Sequence, residues 1–391
     1  MIIEIPSGVR KIIDRLNSRG YRADIVGGAV RDAFLNRETN DYDVTTNALP
    51  ETVKEIFADE RTVDTGIKHG TVSIIIDGEC YEVTTYRVDG EYRDSRHPET
   101  VTFTAKIEDD LARRDFTMNS IAYNPKDGLT DPFFGKEDID ARIIRTVGEA
   151  EVRFSEDALR ILRALRFSSV LGFRIEESTR VGINAKGHLL RNVSPERIYQ
   201  ELTKLLAGEL AYSVIADYKD TIEIILPEVD ILLLPFGSSP DPLVKLSAIF
   251  ALNSENPAML LDSAMRRLKT DNKSRKIYTD ALTVYSERRI ETKKDVLFIL
   301  RDFGVEPTLR AIDIGTEVGR YGENEKKLVE DAIASGVPYT VGMLAIKGSD
   351  LIGIGITGEG IGRMLDHLLT LVIKGEAENE RAYLLGVAEG K

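Results

Sequence analysis

The sequence predicts a mixed α+β fold, in which an N-terminal part that contains strands precedes a long helical part. Three observations support this prediction. Short β-rich runs separated by turn residues lie between residues 23 and 104, Asp77-Gly78 separates two of these runs, and apolar side chains recur at helical spacing after about residue 140. Strands grouped before helices are typical of α+β proteins. We therefore expect residues 1–140 to form an α+β head.

The first elements of the head follow from local patterns. Apolar side chains at helical spacing predict an amphipathic helix over residues 9–19. A strand at Ala23–Val26 is then followed by Gly27-Gly28 and by a short helix at Ala29–Leu35. The neighbours of Asp41–Val44 predict that this segment is a second strand.

A hairpin and a charged segment complete the head. The β-rich runs Val72–Ile76 and Tyr81–Tyr86 flank Asp77-Gly78, and Asp-Gly in such a place is a strong hairpin signal. Val101–Thr104 is a further candidate strand. Before it, Arg87–Thr100 has many charges and few apolar side chains, so we expect this segment to be mobile.

The remainder of the chain is expected to be helical. Glycines recur between Gly342 and Gly362, and apolar residues alternate with them. This pattern predicts short helices joined by tight turns. An amphipathic helix is predicted to follow at Ile361–Ile373.

Composition restricts the class of protein. A chain of 391 residues is too long for one simple core and indicates two to four domains. The net charge of −13 argues against a protein that coats nucleic acid, because phosphate contacts need local positive charge. It is compatible with an enzyme that grips RNA with one face. Residues 151–209 hold ten Lys or Arg and eight Asp or Glu, so this stretch is slightly basic.

The sequence also predicts a location. No apolar run approaches the roughly 20 residues of a membrane span, and the N-terminal residues lack the features of a signal peptide. The single cysteine, Cys80, cannot form an internal disulfide. We therefore expect a cytoplasmic protein.

Gly27-Gly28 lies between a predicted strand and a predicted helix, where a ligand can approach the backbone closely. The N-terminus of a helix offers free N–H groups to a phosphate, and Arg31 adds a guanidinium that can form two hydrogen bonds. An ordinary turn has the same pattern, so this motif alone leaves both interpretations open.

Asp41 and Asp43 are two residues apart on a predicted strand, so their side chains should point to the same side. Adjacent carboxylates repel each other unless a cation joins them, and such oxygen ligands suit Mg²⁺. Two ions can activate an attacking hydroxyl and stabilise a departing pyrophosphate. An isolated Asp-x-Asp is often a solvated turn, but this pair begins 13 residues after Gly28, and the combination is more specific.

Two further patterns in the head carry candidate site residues. Glu82 lies on a predicted strand and is a candidate third carboxylate, with a solvent-facing glutamate as the alternative. Arg113 and Arg114 are adjacent and costly to bury unpaired. We expect one of them to pair with Asp115 or Asp110 and the other to contact ribose or triphosphate, and an exposed loop is the alternative.

The segment from Glu156 to Phe167 has the spacing of an amphipathic helix. At roughly 100° per residue, Asp157, Arg160 and Arg163 lie opposite the apolar face, and Arg166 lies at its edge. Because Asp accepts hydrogen bonds and Arg donates them, these side chains can recognise a base by hydrogen bonds to its edge. An ordinary helix with ion pairs on its exposed face has the same spacing.

Four motifs together resemble those of class II tRNA nucleotidyltransferases and bacterial poly(A) polymerases. They are Gly27-Gly28-x-x-Arg31-Asp32, Asp41-x-Asp43, Arg113-Arg114-Asp115 and Glu156-Asp157-x-x-Arg160. The resemblance covers residues from about 20 to 205 and includes Ser194-Pro195-Glu196-Arg197. Leu344–Leu351 and the glycines after it resemble the C-terminal end of bacterial CCA-adding enzymes, whose tails grip the tRNA elbow largely by shape.

The resemblance implies a domain order. It implies a catalytic head related to DNA polymerase beta at residues 1–140 and a helical neck for nucleobase recognition at residues 141–205. A helical body at residues 206–330 and a tRNA-binding helical tail at residues 331–391 would follow. Arg87–Thr100 resembles the flexible loop of enzymes that add the final A.

The resemblance also implies roles for individual residues, which we state as expectations. Asp41 and Asp43 bind the catalytic Mg²⁺ ions, and Gly27, Gly28 and Arg31 line the nucleotide phosphates. Either Arg113 or Arg114 contacts the incoming nucleotide. The residues expected to pair with the base of CTP and then of ATP, or to extend that site, are Asp157, Arg160, Arg163 and Arg166.

The expected reaction is the addition of C, C and A from CTP and ATP to the 3′ end of tRNA, by nucleotidyl transfer with two metal ions. Neither DNA nor a membrane is an expected partner, and the sequence indicates no protein partner. The alternatives are a CC-adding or A-adding enzyme, a poly(A) polymerase, and an inactive RNA-binding protein. The chain has no basic C-terminal extension, which argues against poly(A) polymerase, and no His-Asp phosphohydrolase signature.

Overall fold

The computed structural model describes residues 3–39, 41–90 and 100–390, and its chain divides into two compact units, Met1–Ile225 and Leu226–Lys391. The first unit contains the strands together with the helices around them. The second unit is built from helices. This order confirms the predicted α+β fold with strands before helices.

The strands have the following bounds: β1 Ala23–Val26, β2 Asp43–Thr46, β3 Arg61–Gly66, β4 Thr71–Ile76, β5 Glu79–Thr85, β6 Arg87–Asp89, β7 Val101–Phe103, β8 Ala122–Asn124, β9 Gly128–Thr130, β10 Ile143–Ile144 and β11 Arg174–Ile175. Seven of them form one sheet in the order β3-β4-β5-β2-β1-β8-β9. Within it β2 and β5 are parallel, and the other neighbours are antiparallel.

The helices of the first unit are α1 Ser7–Ser18, α2 Gly28–Phe34, α3 Pro50–Ile56, α4 Ile107–Ala112, α5 Gly135–Asp140, α6 Ala150–Glu156, α7 Leu159–Leu171, α8 Glu177–Lys186, α9 Pro195–Leu206, α10 Ala211–Asp217 and α11 Lys219–Ile225. Short 3₁₀ turns lie at Ile67–His69, Thr117–Asn119 and Gly187–Asn192. The turn at Thr117–Asn119 joins α4 to β8 and carries residues of the site described below.

The second unit consists of α12 Pro242–Asn253, α13 Pro257–Arg267, α14 Asn272–Glu287, α15 Lys293–Phe303, α16 Val305–Glu317, α17 Glu323–Ala334, α18 Gly348–Gly353, α19 Glu359–Lys374 and α20 Arg381–Ala388. A 3₁₀ turn at Val341–Met343 precedes α18. The short α18 and the longer α19 confirm the short helices and the amphipathic helix predicted around the glycine-rich segment. None of the helices in the described ranges is long and apolar enough to span a membrane.

The predicted hairpin is confirmed. Strands β4 and β5 pair in register from Ile76↔Glu79 to Thr71↔Thr84. Asp77 and Gly78 connect them with φ values of 52° and 86°, the two positive angles that a tight two-residue hairpin turn requires. The turn therefore sets the register that places Glu82 on the exposed face of β5.

Two local predictions need correction. Arg87–Asp89, at the start of the segment predicted to be mobile, forms the strand β6, which pairs with β7. The middle of the predicted mobile segment, residues 91–99, lies outside the described residues. The strand predicted at Asp41–Val44 begins only at Asp43, so Asp41 precedes β2 and does not belong to it.

Gly135 provides a test of packing beside the 3₁₀ turn at Thr117–Asn119. A Cβ at Gly135 would lie 2.1 Å from the carbonyl oxygen of Thr117, which is backbone and cannot rotate away. We expect Gly135→Ala to lower the free energy of unfolding by about 1–3 kcal/mol, measured by urea denaturation. The control is Gly353→Ala, since no atom lies within 4 Å of the added Cβ there. Equal stability of Gly135→Ala and the wild type would contradict the packing described here.

Candidate active site

One cavity in the first unit, with a volume of about 530 Å³, collects nearly all the candidate residues. It is lined by Gly27, Gly28, Arg31, Asp32, Thr39, Asp41, Asp43, Arg113, Arg114, Asp115, Asn119, Asp157, Arg160, Arg163, Arg166, Phe167 and Lys204. Glu82 does not line it. Segments that are far apart in the chain therefore meet at one place.

The glycine turn forms one wall of the cavity. Gly27 precedes α2 with φ 77° and ψ −127°, a backbone conformation that side-chain-bearing residues rarely adopt. Its N–H donates to the carbonyl oxygen of Ile121 at 3.1 Å. A Cβ at Gly27 would lie 3.2 Å from Nη1 of Arg114, so glycine lets the Arg114 guanidinium come close to the backbone.

Arg31 is held rigidly beside this turn. Its Nε and Nη2 each donate to the Asp32 carboxylate at 2.9 Å, and its Nη1 donates to Oδ1 of Asn119 at 2.8 Å. The side chain is buried. Because the guanidinium is already oriented, little conformational entropy is lost when it meets an anion.

The acidic residues meet at the start of β2. Val44 pairs with Val83 in the parallel strands β2 and β5, so the preceding residues, Asp43 and Glu82, are neighbours across the two strands. Burial raises the pKa of Asp43, the negative charges of Asp41 and Glu82 raise it further, and Arg114 opposes them. The negative charges of Asp41 and Glu82 therefore act on Asp43, although Asp41 lies outside the strand.

This acidic group fits a divalent cation with an open coordination shell. In the part of the chain that the structure describes, no three His, Cys, Asp or Glu side chains are grouped tightly enough to enclose a metal ion. Asp41 and Asp43 can supply two hard oxygen ligands. Mg²⁺ typically takes one or two carboxylates and completes its shell with water and substrate phosphates.

Both adjacent arginines pair with the same carboxylate. Arg113 donates from Nε to Asp110 at 2.9 Å, and Arg114 donates from Nη2 at 3.3 Å. The predicted ion pair with Asp110 is therefore present, and both arginines take part in it. Burial alone would raise the pKa of Asp110, but the two guanidinium groups outweigh burial and lower it. The buried Nε of Arg114 has no hydrogen-bond partner among the described residues.

The opposite wall of the cavity comes from α7 and the residues before it. The segment from Glu156 to Phe167 is not one helix, because α6 ends at Glu156 and Asp157 has the extended angles φ −145° and ψ 103°. Asp157 accepts hydrogen bonds from Nη1 and Nη2 of Arg197 at 3.3 and 2.8 Å. The break turns Asp157 towards Arg197 on α9, a partner that helical spacing could not predict.

The arginines of α7 also have partners. Arg160 donates from Nη1 to Glu156 at 2.5 Å and from Nη2 to the carbonyl oxygen of Arg113 at 3.2 Å. Arg166 forms an ion pair with the buried Glu201, with Nε and Oε2 3.3 Å apart. Arg160 and Arg166 are therefore held in place by ion pairs.

Asp115 joins the two walls of the cavity. Its carboxylate accepts hydrogen bonds from Nε of Arg163 at 2.7 Å and from Nδ2 of Asn119 at 3.1 Å. Burial alone would raise the pKa of Asp115, but Arg163 and Asn119 outweigh burial and lower it to about 2. Asp115 thus connects the turn at Thr117–Asn119 with α7.

Several lining residues were not predicted from the sequence. Asn119 follows the Arg113-Arg114-Asp115 motif by four residues, and its polar side chain was the available signal. Thr39, Phe167 and Lys204 had no such signal, because an isolated threonine, an apolar residue at the end of a helix and a surface lysine are common everywhere. Their place in the cavity depends on the packing of α7, α9 and the head.

Comparison with known proteins agrees with this architecture. The model of the poly A polymerase head domain matches residues 23–145, and that of a probable RNA and SrmB-binding site of polymerase A matches residues 172–232. The CCA-adding enzyme of Geobacillus stearothermophilus is 39% identical over 391 residues, covering 95% of this chain and 93% of that enzyme. The enzyme of Geobacillus thermodenitrificans is 53% identical over 200 residues, 51% of this chain and about half (49%) of that enzyme.

A solved structure is similar over nearly the whole chain. The crystal structure of the Bacillus stearothermophilus CCA-adding enzyme in complex with CTP has a TM-score of 0.79 and 33% identity. The match covers 99% of this chain and 98% of that one. The likeness therefore includes both compact units of the chain.

The low pKa of Asp115 leads to a prediction about stability. The carboxylate stabilises the fold fully above its ordinary pKa of 3.8, and this contribution is lost as the pH falls towards about 2. We expect Asp115→Asn to lower the free energy of unfolding at pH 7 by about 2 kcal/mol. The deficit should shrink between pH 4 and pH 2 in denaturation curves. Asp14→Asn, at an exposed site, is the control, and a deficit that stays constant to pH 2 would contradict the assignment.

Proposed function

Because this chain belongs to the family of CCA-adding enzymes, which are tRNA nucleotidyltransferases, we propose that it adds C, C and A from CTP and ATP to the 3′ end of tRNA. One observation carries the proposal. Asp41 and Asp43, the glycine turn with Arg31, and the pair Asp157 and Arg160 line a single cavity. A nucleotide that occupies this cavity can contact all three groups together.

The carboxylates are proposed to serve the reacting phosphate. Asp41 and Asp43 would hold divalent ions, Mg²⁺ in our proposal, and Glu82 would add negative charge from the neighbouring strand. Burial first, and then the negative charges of Asp41 and Glu82, raise the pKa of Asp43, and a bound cation would offset that repulsion. When bound, the ions activate the attacking hydroxyl and stabilise the leaving group.

The glycine turn and Arg31 are proposed to orient the phosphates. The 3′ oxygen of the RNA would attack the α-phosphorus in line, its proton would leave, and the bond to the departing pyrophosphate would break. Gly27 and Gly28 leave the backbone accessible, and Arg31 presents a fixed guanidinium beside them. These residues would hold the pyrophosphate portion during the step.

We propose that Arg114, rather than Arg113, contacts the phosphates. Arg114 lies against Gly27 and has a buried Nε without a partner among the described residues. Its charge also acts on Asp43. Arg113 instead has Nε and Nη2 on Asp110, and its carbonyl oxygen accepts from Arg160. Arg113 would therefore help to position Asp110 and Arg160 without contacting the phosphates.

Asp157 and Arg160 are proposed to select the base. Cytosine and adenine both carry an exocyclic amine that donates hydrogen bonds, and a carboxylate accepts them. The guanidinium of Arg160 can donate to the adjacent ring nitrogen. Guanine and uracil present a carbonyl oxygen where the amine would be, so the carboxylate would repel them. Arg163 and Arg166 would extend this site on the same helix.

The wider organisation follows from the same proposal. The head at residues 1–140 would carry catalysis and the neck at residues 141–205 base recognition. A helical body at residues 206–330 would follow, and a helical tail at residues 331–391 would bind tRNA. A cytoplasmic location is proposed because a tRNA-processing enzyme meets its substrate there.

The decisive experiment uses one tRNA in four forms, which lack CCA or end in C, CC or CCA. Each form is incubated with labelled CTP or ATP and Mg²⁺, and the products are resolved on a gel. Growth of every truncated form to CCA, followed by a stop, supports the proposal. A stop at CC or addition only to the CC form indicates a split activity, long A-tails indicate poly(A) polymerase, and no addition indicates an RNA-binding protein.

Asp43 provides the first mutational prediction. We expect Asp43→Ala to reduce nucleotide addition in the gel assay to background, because it removes one of the two proposed metal ligands. Its thermal unfolding should match that of the wild type, since Asp43 is only partly buried. Asp14→Ala, which removes an exposed carboxylate from α1, is the control. Retained addition in the Asp43 variant would refute the metal assignment.

Asp157 provides the second mutational prediction. We expect Asp157→Ala to lower discrimination between CTP and UTP by about tenfold or more, because the acceptor for the amine is lost. The ratio of kcat/KM values for the two nucleotides measures this effect. Glu209→Ala removes an exposed acid in the same unit and should leave the ratio unchanged. An unchanged ratio in the Asp157 variant would remove that residue from the base site.

A further inference from the structure

Three guanidinium groups surround the ring of Phe167. The Cζ atoms of Arg31, Arg163 and Arg166 lie 5.0, 5.5 and 4.2 Å from its ring centroid. Phe167 is buried near the end of α7 and lines the candidate cavity. These distances are within the roughly 6 Å over which an aromatic ring attracts a cation.

The three cations belong to different parts of the site. Arg31 comes from α2, beside the glycine turn, whereas Arg163 and Arg166 come from α7 on the base side. Phe116 packs edge-to-face against Phe167, with centroids 5.9 Å apart and an angle of 88°. The Phe167 ring therefore extends from α7 and contacts Arg31 and Phe116 of the head.

Three cations at such short range repel one another, and burial with this repulsion lowers the pKa of Arg166. Three carboxylates pair with them: Asp32 with Arg31, Asp115 with Arg163, and Glu201 with both Arg163 and Arg166. Further carboxylates would hold the arginines more firmly, but they would outnumber the three guanidinium groups and repel a polyphosphate. The negative face of an aromatic ring attracts cations and leaves their charge intact.

We propose that Phe167 is a positioning residue for the reaction proposed above. Its ring holds Arg31, on the phosphate side, and Arg163 and Arg166, on the base side, at a set separation. One bound nucleotide then meets both groups without rearrangement of either. This inference rests on the proposed function, but it concerns nucleotide binding and can be tested without catalysis.

The test replaces Phe167 with fluorinated phenylalanines that carry one, two or three ring fluorines. Fluorination keeps the shape of the ring and progressively removes its attraction for cations. We expect the Kd for CTP to rise stepwise by about tenfold over the series. The kcat at saturating CTP should stay within about twofold, because Asp41 and Asp43 are untouched and only uniform binding is lost.

The matched control is the same series at Phe154, a buried ring of α6 that packs beside Gly182. Phe167→Leu, which keeps an apolar side chain without a ring, should resemble the most fluorinated protein in Kd. A Kd that is constant across the Phe167 series, or an equal rise in the Phe154 series, would overturn the proposal. Absence of nucleotide addition by the wild type would refute the proposed function, while the binding series would still decide the role of the ring.

Discussion

A single buried carboxylate, Asp110, holds together the elements around the candidate site. It is fully buried, and it accepts from Arg113, from Arg114 and from Oγ1 of Thr45 on β2. Breaking a buried ion pair by removing one partner typically costs several kcal/mol, so the two arginines and the carboxylate depend on one another. Through this group α4 is fastened to the central strand, and the guanidinium of Arg114 is brought beside Gly27.

Ion pairs between charged side chains also hold the rest of the site together. Charged side chains that face the cavity are paired in advance, as with Asp115 and Arg163 or Asp157 and Arg197. Pairing limits the desolvation cost of each charge and fixes its position. Such a cavity is preorganised, because the charges need little reorganisation when a ligand enters. The acidic group around Asp43 differs, since burial and the negative charges of Asp41 and Glu82 raise the pKa of Asp43 and favour a cation.

Much of the fold could be predicted because its signals are local. The hairpin at Asp77-Gly78 depends on two residues that tolerate positive φ, and β1 depends on a short segment in which three of four residues are apolar and all four are buried. Predictions failed where a distant partner decides the local structure. Pairing with β7 orders Arg87–Asp89 as a strand, and the contact with Arg197 on α9 accompanies the break in the helix at Asp157.

The sequence by itself determined the order of strands and helices, the family resemblance, and the residue types that form the candidate site. These features are carried by local spacing and by short motifs, so they can be found without a partner in space. Only the tertiary structure decided that both arginines of the Arg113-Arg114 pair bind Asp110, that Glu82 lies beside Asp43, and that Phe167 stands among three arginines. The physical reason is that ion pairs, strand register and cation–ring contacts join residues that are far apart in the chain, and their partners are selected by packing.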